Sequence, residues 1–463
     1  MPRERLTYLE VCLKDNKIVQ YYLKNMDHRG IIMKVIRYPS SEAEKKIRAI
    51  ADRGVEFKKE DVDRVAEILE DVKQRGDSAL IEYTNRFDAP DLSVNDLIVT
   101  DDEIADAEKQ VDGSFGSALN RAVDQIEAFH KKQLRNSWIS TARPGVLLGQ
   151  LINPVDAAGV YVPGAKGGMT PLVSSVLMGV IPARIAGVEH VSMVTPPTKE
   201  GSVNPHLLVA AKKVGVDVIY KAGSAWAIAG LAYGTKTIKK VDVIAGPGNI
   251  YVTLAKKMVA GTVGIDMIAG PSEILVIADD SANAKYIAAD LLSQAEHDML
   301  ASSVLITDSA RVADDVAKAV QEQLNILDRK DIAQKSLAAF GCIMIVPDIA
   351  TGIELANRIA PEHLEIHVKE PFEYLGLIRN AGAVFVGEYT PEPVGDYMAG
   401  PNHVLPTGGT ARFSSALSVD TFLKQTSLLH YSKAAFDREA EDIMRLADVE
   451  GLGAHAGSVR IRC

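Results

Sequence analysis

Apolar positions along the chain fall into two textures. Over residues 33–138 they recur at three- and four-residue spacing among charges, as in Glu60–Arg75 and Asp101–Gln133, and this predicts amphipathic helices that serve as packing scaffold. From Gly159 short β-branched runs end in Gly or Pro and give way to Ala-rich amphipathic stretches: GVYVPG, VSMVTPP, VDVIYKAGS and VDVIAGPGN. A second series, ILVIADD, SVLITDS, CIMIVPD, LEIHV and AVFVGE, repeats the alternation. Strands alternating with helices imply parallel βαβ units and hence two α/β sheets. Thr421–Cys463 reads as helix with a short terminal strand, and no solenoid-type period runs through the chain. Open parallel sheets hold ligands at the carboxyl ends of their strands, so the residues just after these runs are the first place to look for chemistry.

Composition narrows the class. With 463 residues, and roughly 100–200 per domain, the chain has room for two to four domains, and 47% apolar residues suffice for packed cores. Lys and Arg number 51 against 61 Asp and Glu, a net charge of −10 that argues against a nucleic-acid binder and is too mild over this length to make an acidic binding module. Cys12, Cys342 and Cys463 are too few and too scattered for a disulfide framework, which favours a reducing compartment. The first thirty residues lack a secretory core and cleavage site. Around Pro171–Val188 the longest apolar stretch is broken by Arg184, short of the roughly 20 residues that span a bilayer. A cytoplasmic protein that does not insert in a membrane is expected.

Several segments carry candidate chemistry. Val241 to Val252 is strand, glycine turn and helix, with Gly246, Gly248, Asn249 and Tyr251 giving G-x-G-x-x-Y where a dinucleotide fingerprint has a third glycine. That turn, like the one from Tyr161 through Gly164 to Gly168, either lines a nucleotide crevice or merely bends the chain. Gln294 and His297 stand at i and i+3 of a helical pattern, in reach of a common ion. Asp396 with Asn402 and His403, and Glu450 with His455, are segments that could complete an N/O site of Gln, His, Asp and His suited to Zn²⁺ or another divalent transition metal. Glu362 and His363 sit at a proline-pinned turn between helix and strand, which predicts exposed side chains and offers a general base beside a water-activating carboxylate.

Taken together these segments resemble the histidinol dehydrogenases. The likeness covers roughly Met33 to Cys463 and rests on YVPG, SSVLM, IPARIAGV, VTPP, AGPGN, AGPSEILVIAD, DLLSQAEHD, APEHLEI, GDYMAGPNHVLPT and EGLGAH. It implies two incomplete Rossmann-like parallel-sheet domains with helical N- and C-terminal segments, in an intertwined homodimer. The implied division is 1–51 as N-terminal extension and helical segment, 52–140 with 269–414 as the metal and base domain, 141–268 as the nucleotide domain, and 415–463 as a helical segment entering the partner's site. It further implies one Zn²⁺ per subunit on Gln294, His297, Asp396 and His455, with His363 as base and Glu362 activating water. Ser174, Ser272, His403 and Glu450 would contact substrate, and Tyr161 and Asn249 the NAD. The implied reaction oxidises L-histidinol to L-histidine through the aldehyde, reducing two NAD⁺, with Glu450 and His455 acting in trans.

Three departures bear on that expectation. Trp226 stands where the family has a cofactor-contacting glutamine; its ring nitrogen cannot accept a hydrogen bond, so the contact is lost or replaced by stacking. The loop 165–173 is a few residues longer than the family's, and residues 1–32 precede the family's usual start. A paralogue oxidising another small polar alcohol is the alternative, since fold does not fix substrate. A purely structural zinc is disfavoured by a ligand set without cysteine.

Overall fold

All nine β-branched runs form strands, sorted into two parallel sheets. In the computed structural model, which describes residues 33–53, 57–165 and 170–463, the first sheet runs Val35–Arg37, Cys342–Ile345, Ser302–Thr307, Glu273–Ala278, His363–His367, Ala383–Val386 in spatial order. The second runs Gly264–Ile265, Val243–Ala245, Ala157–Tyr161, His190–Thr195, Val218–Lys221. Numbered along the chain, the second sheet has the order 5-4-1-2-3, and the first, leaving aside its edge strand Val35–Arg37, has 3-2-1-4-5. Both are therefore one doubly wound pattern short of its sixth strand. Helices cover both faces, which is why the central strands are continuous aliphatic runs: Ile274 and Val276 enter one core, Leu275 and Ile277 the other. The expected N-terminal extension 1–32 and residues 166–169 of the lengthened loop lie outside the described residues.

Helix packing departs from the expected domain grouping. Lys59–Arg75 points Val65, Ile68, Leu69 and Val72 at the helices Ser224–Tyr233 and Ile250–Val259 of the second sheet. Asp101–Gln110 and Gly113–His130 likewise pack on Pro205–Lys213 and Val173–Ala186. Residues 59–130 thus clothe the second sheet, whereas the resemblance implies a grouping of 52–140 with 269–414. The faces of the first sheet are already occupied by Ser41–Ala51, Ala284–Ala295, Ala310–Leu324 and Ile349–Ile359. The single helix expected over Asp101–Gln133 is broken because Asp112 caps a new one, its carboxylate accepting the Phe115 N–H at 2.8 Å.

The end of the chain also differs from its reading. Leu423–Tyr431 is a long strand pairing antiparallel with Val146–Pro154, which pairs in turn with Trp138–Ser140. Two helices follow, Lys433–Val449 and Gly453–Arg460, in place of a terminal strand. Trp138, Ile139, Leu429, Leu446 and Val449 stay exposed on this arm. Among the described residues no helix is long and apolar enough to cross a membrane.

One short link orients the two sheets. The chain leaves the carboxyl end of Gly264–Ile265 and enters the amino end of Glu273–Ala278 after seven residues, 266–272. A carboxyl edge of one sheet therefore meets an amino edge of the other. The Asn402 amide donates to the Met178 carbonyl at 2.7 Å across this junction, one turn into the helix that opens at Val173–Ser174.

Candidate active site

The base candidate opens a strand. Glu362 and His363 are 7% and 3% exposed, not displayed on a turn, because Gly382 and Ala383 donate their N–H groups to the Pro361 and Glu362 carbonyls at 2.9 Å and extend the pairing over the proline. Gly382 permits this close approach, since a Cβ there would lie 2.5 Å from the Glu362 carbonyl oxygen. His363 Nδ1 lies 3.0 Å from the Glu273 carbonyl and so carries the proton, leaving the Nε2 lone pair free. Burial pushes the His363 pKa down to about 4, so the ring is neutral at physiological pH. Glu362 Oε2 accepts the Glu273 N–H at 3.1 Å, and burial, with Glu392 and Glu273 nearby, raises its carboxyl well above the usual range. Glu273 is itself held by a buried ion pair with Arg53 at 2.9 Å.

Along this strand His363, Glu365 and His367 share one face, while Leu364 and Ile366 point into an aliphatic core. Glu365 Oε1 accepts the Glu392 N–H at 3.1 Å and pins the start of the short helix Glu392–Tyr397. Glu392 and Asp396, one turn apart, then both face His363: its Nε2 is 3.7 Å from Glu392 Oε1, and one ligand atom from each of the three lies within 4.8 Å of the others. Burial and the Glu392 charge push Asp396 up to about 6, partly offset by His363. His403 Nδ1 is 3.9 Å from Asp396 Oδ1, and its ring is driven down to about 4 by burial and by His363.

Gln294, in the last turn of the helix Ala284–Ala295, is fully buried, with neither amide atom hydrogen-bonded among the described residues. His297 lies past that helix in an exposed turn, not on its face; burial raises the Glu392 carboxyl and the nearby His297 partly offsets it. Behind Glu365, His367 Nε2 approaches Glu365 Oε2 at 3.3 Å and Asp290 Oδ2 at 4.0 Å, and burial raises both carboxyls to about 8. Sequence reading missed Glu392, Glu365 and Asp290. The available signals were the i, i+4 carboxylates in Glu392-Pro-Val-Gly-Asp396 and the alternation His-Leu-Glu-Ile-His.

Facing this centre is the carboxyl edge of the second sheet. Gly246 adopts φ +116°, and a Cβ there would sit 2.2 Å from the Tyr161 carbonyl oxygen. The turn is braced by a buried Lys256–Asp266 ion pair: Lys256 donates to the Gly246 carbonyl at 2.9 Å, and Asp266 accepts the Gly246 N–H at 2.8 Å. Asn249 caps the following helix, its Oδ1 accepting from Tyr251 and Val252. The Tyr161 hydroxyl accepts the Ser224 N–H at 3.1 Å.

A model of the family described as histidinol dehydrogenase matches residues 51–463. Histidinol dehydrogenase of Desulfotalea psychrophila is 53% identical over 398 residues, 86% of this chain and 92% of that protein. That of Heliobacterium mobile is 51% identical over 93% of this chain and 99% of its own length. The crystal structure of histidinol dehydrogenase from Elizabethkingia anophelis superposes with a TM-score of 0.87 at 37% identity, covering 93% of this chain and 98% of that one. The chain belongs to the histidinol dehydrogenase family.

Within the residues expected from the family resemblance, one chain brings together Glu362, His363, Asp396 and His403, with Ser272 hydrogen-bonding Glu362. Glu450 and His455 are exposed on the C-terminal helices, with no hydrogen bond or ion pair to that group among the described residues. Trp226 is buried against Tyr83 and Phe87, at ring distances of 5.9 and 5.5 Å, and donates its N–H to Thr84 Oγ1 at 3.1 Å. Its one polar atom is thereby occupied. The carboxyl-edge expectation needs correction for the first sheet: Ser272, Glu362 and His363 lie at the amino ends of its strands, where the chain enters from the facing sheet.

Proposed function

We propose that this protein oxidises L-histidinol to L-histidine through histidinaldehyde, the last steps of histidine biosynthesis, as a cytoplasmic NAD-linked homodimer with one Zn²⁺ per subunit. The observation that carries the reading is the buried His363 ring, with Nδ1 committed to the Glu273 carbonyl and Nε2 turned toward Glu392. The fit to a divalent ion rests on Gln294, whose buried amide has no partner among the described residues, and on the crowded Glu392 and Asp396 carboxyls, which need a cation or a proton to stay buried. Gln294, His297 and Asp396, with His455 from a second copy, would hold that ion.

When bound, the ion would supply an anchor for the substrate's amine and imidazole, and the nicotinamide would supply the hydride acceptor. His363 takes the hydroxyl proton at Nε2 in the first oxidation and returns it to solvent. Glu362 then takes a proton from the water that adds to the aldehyde carbon; its raised pKa makes the ionised carboxylate a stronger base than an exposed one. Ser174, Ser272, His403 and Glu450 hold the substrate, Glu450 by pairing with a substrate cation. Tyr161 and Asn249 line the nucleotide side, and Trp226 acts there only through its ring. The exposed apolar arm around Leu429, Leu446 and Val449 supports docking of the C-terminal segment on a second copy.

The test is stoichiometry: purified protein reduces close to two NAD⁺ per L-histidinol consumed. A single equivalent with another alcohol, and none with histidinol, would assign the paralogue instead. Mixing inactive H363A and H455A homodimers under exchange should restore activity, because one site of the mixed dimer is then intact. No recovery despite proven exchange would place both residues in the same site of one chain.

A further inference from the structure

We propose that Asp88 receives the ribose hydroxyls of the bound dinucleotide and thereby makes the second-sheet crevice selective for NAD over its 2′-phosphorylated form. The inference rests on the NAD-linked reading above. In the doubly wound order a carboxylate near the end of the second strand takes the ribose diol. Here that strand, His190–Thr195, runs into Pro196 and Pro197 and carries no acid.

Asp88 fills the position from outside the sheet. It ends the helix Asp77–Phe87, which packs on Ser224–Tyr233 beside Trp226. A Cβ built on Gly223 would lie 3.1 Å from Asp88 Oδ2 and 2.8 Å from Pro196 Cβ, so only glycine lets the ends of the second and third strands close on this carboxylate. The next residue, Ser224, is held at φ +47° and donates its N–H to the Tyr161 hydroxyl, which brings the end of the first strand to the same edge.

Two acceptors at this edge are left waiting. Asp88 Oδ2 is buried with no hydrogen-bond partner among the described residues, and so is Thr195 Oγ1 at the end of the second strand. A buried carboxylate oxygen without a donor is costly, and a vicinal diol supplies two O–H groups. A 2′-phosphate would instead bring a second anion against it. The burial that pushes Asp88 up to about 7 marks the same unmet need, which hydroxyl donors relieve.

The experiment is steady-state kinetics on the full-length, metal-loaded enzyme with NAD and NADP as alternative oxidants, for wild type and D88N. Losing one charge-assisted hydrogen bond should raise the NAD KM by roughly 10–100-fold. L-Histidinol KM and kcat should stay within about twofold, and the NAD/NADP ratio of kcat/KM should narrow about tenfold or more. An unchanged ratio in folded D88N, or a lowered Tm with normal NAD KM, overturns the proposal in favour of a structural role. Wild type needs no variant: calorimetry should show ADP-ribose binding about tenfold or more tighter than 2′-phospho-ADP-ribose, and equal affinity overturns the proposal equally. Wild type that oxidises no alcohol with either nucleotide sinks the functional reading; active wild type with an indifferent D88N sinks only this inference.

Discussion

The two sheets share one strand order and use opposite edges. In the first, the groups with chemistry are side chains at the amino ends of strands, buried and fixed by the ladder: His363 opens its strand and Glu362 is tied to the backbone of Glu273. In the second, the edge proposed to meet the cofactor is the carboxyl one, built from a glycine turn that lets backbone approach backbone and from a helix N-terminus capped by Asn249. A base must hold its direction and keep a shifted pKa, which burial in a strand provides. A dinucleotide needs close backbone approach, which glycine provides. Topology alone does not say which edge acts; the seven-residue link between the sheets does, by setting unlike edges face to face.

The sharpest way to break this contrast is His363→Ala. Turnover should fall by about 10²–10⁴-fold while fold and metal content persist. Metal analysis and circular dichroism beside kinetics check this, and an undiminished rate would remove the amino edge from the mechanism. Next comes the brace under the glycine turn. Lys256→Met leaves Asp266 buried without its partner and should cost about 3–5 kcal/mol in denaturant unfolding, far more than loss of any exposed pair. Gly246→Ala should cost about 1–3 kcal/mol, because alanine is strained at φ +116° and its Cβ meets the Tyr161 carbonyl, and it should raise the NAD KM more than the histidinol KM. Equal effects on both constants would show that the two edges are not separate devices.

The smallest effect is in pH. With its pKa lowered from 6.5 to about 4, His363 in the folded protein binds fewer protons than in the unfolded chain across that interval. Acid therefore costs stability as pH falls from about 6.5 toward 4, and its neutral form is kept above about 5. The acid limb of kcat/KM that disappears in His363→Asn should lie near the lower value; a limb at 6.5 would mean that the ring is solvated.

Much of this was legible in residue patterns. Nine β-branched runs were strands because buried parallel strands are aliphatic throughout, and the separated strings around Gln294, Glu362 and Asp396 marked the family. Four things were hidden. The edge assignment depends on how one sheet abuts the other, which no local period encodes. Burial of Glu362 and His363 comes from Gly382 and Ala383, twenty residues on in the chain, pairing back over the proline. Glu392 passed unnoticed because a six-residue helix between prolines has too little periodicity to display a face. Leu423–Tyr431, read as helix, became a strand through pairing with Val146–Pro154, a tertiary choice that overrides propensity.

The alternation along His363–His367 carries a consequence for inheritance. Deleting or inserting one codon in this stretch would rotate three ionisable side chains into the oily interior and turn Leu364 and Ile366 toward the reacting centre. A change of two codons would preserve which way every residue looks. Length variation among descendants of this gene should accordingly be even-numbered here, or absent.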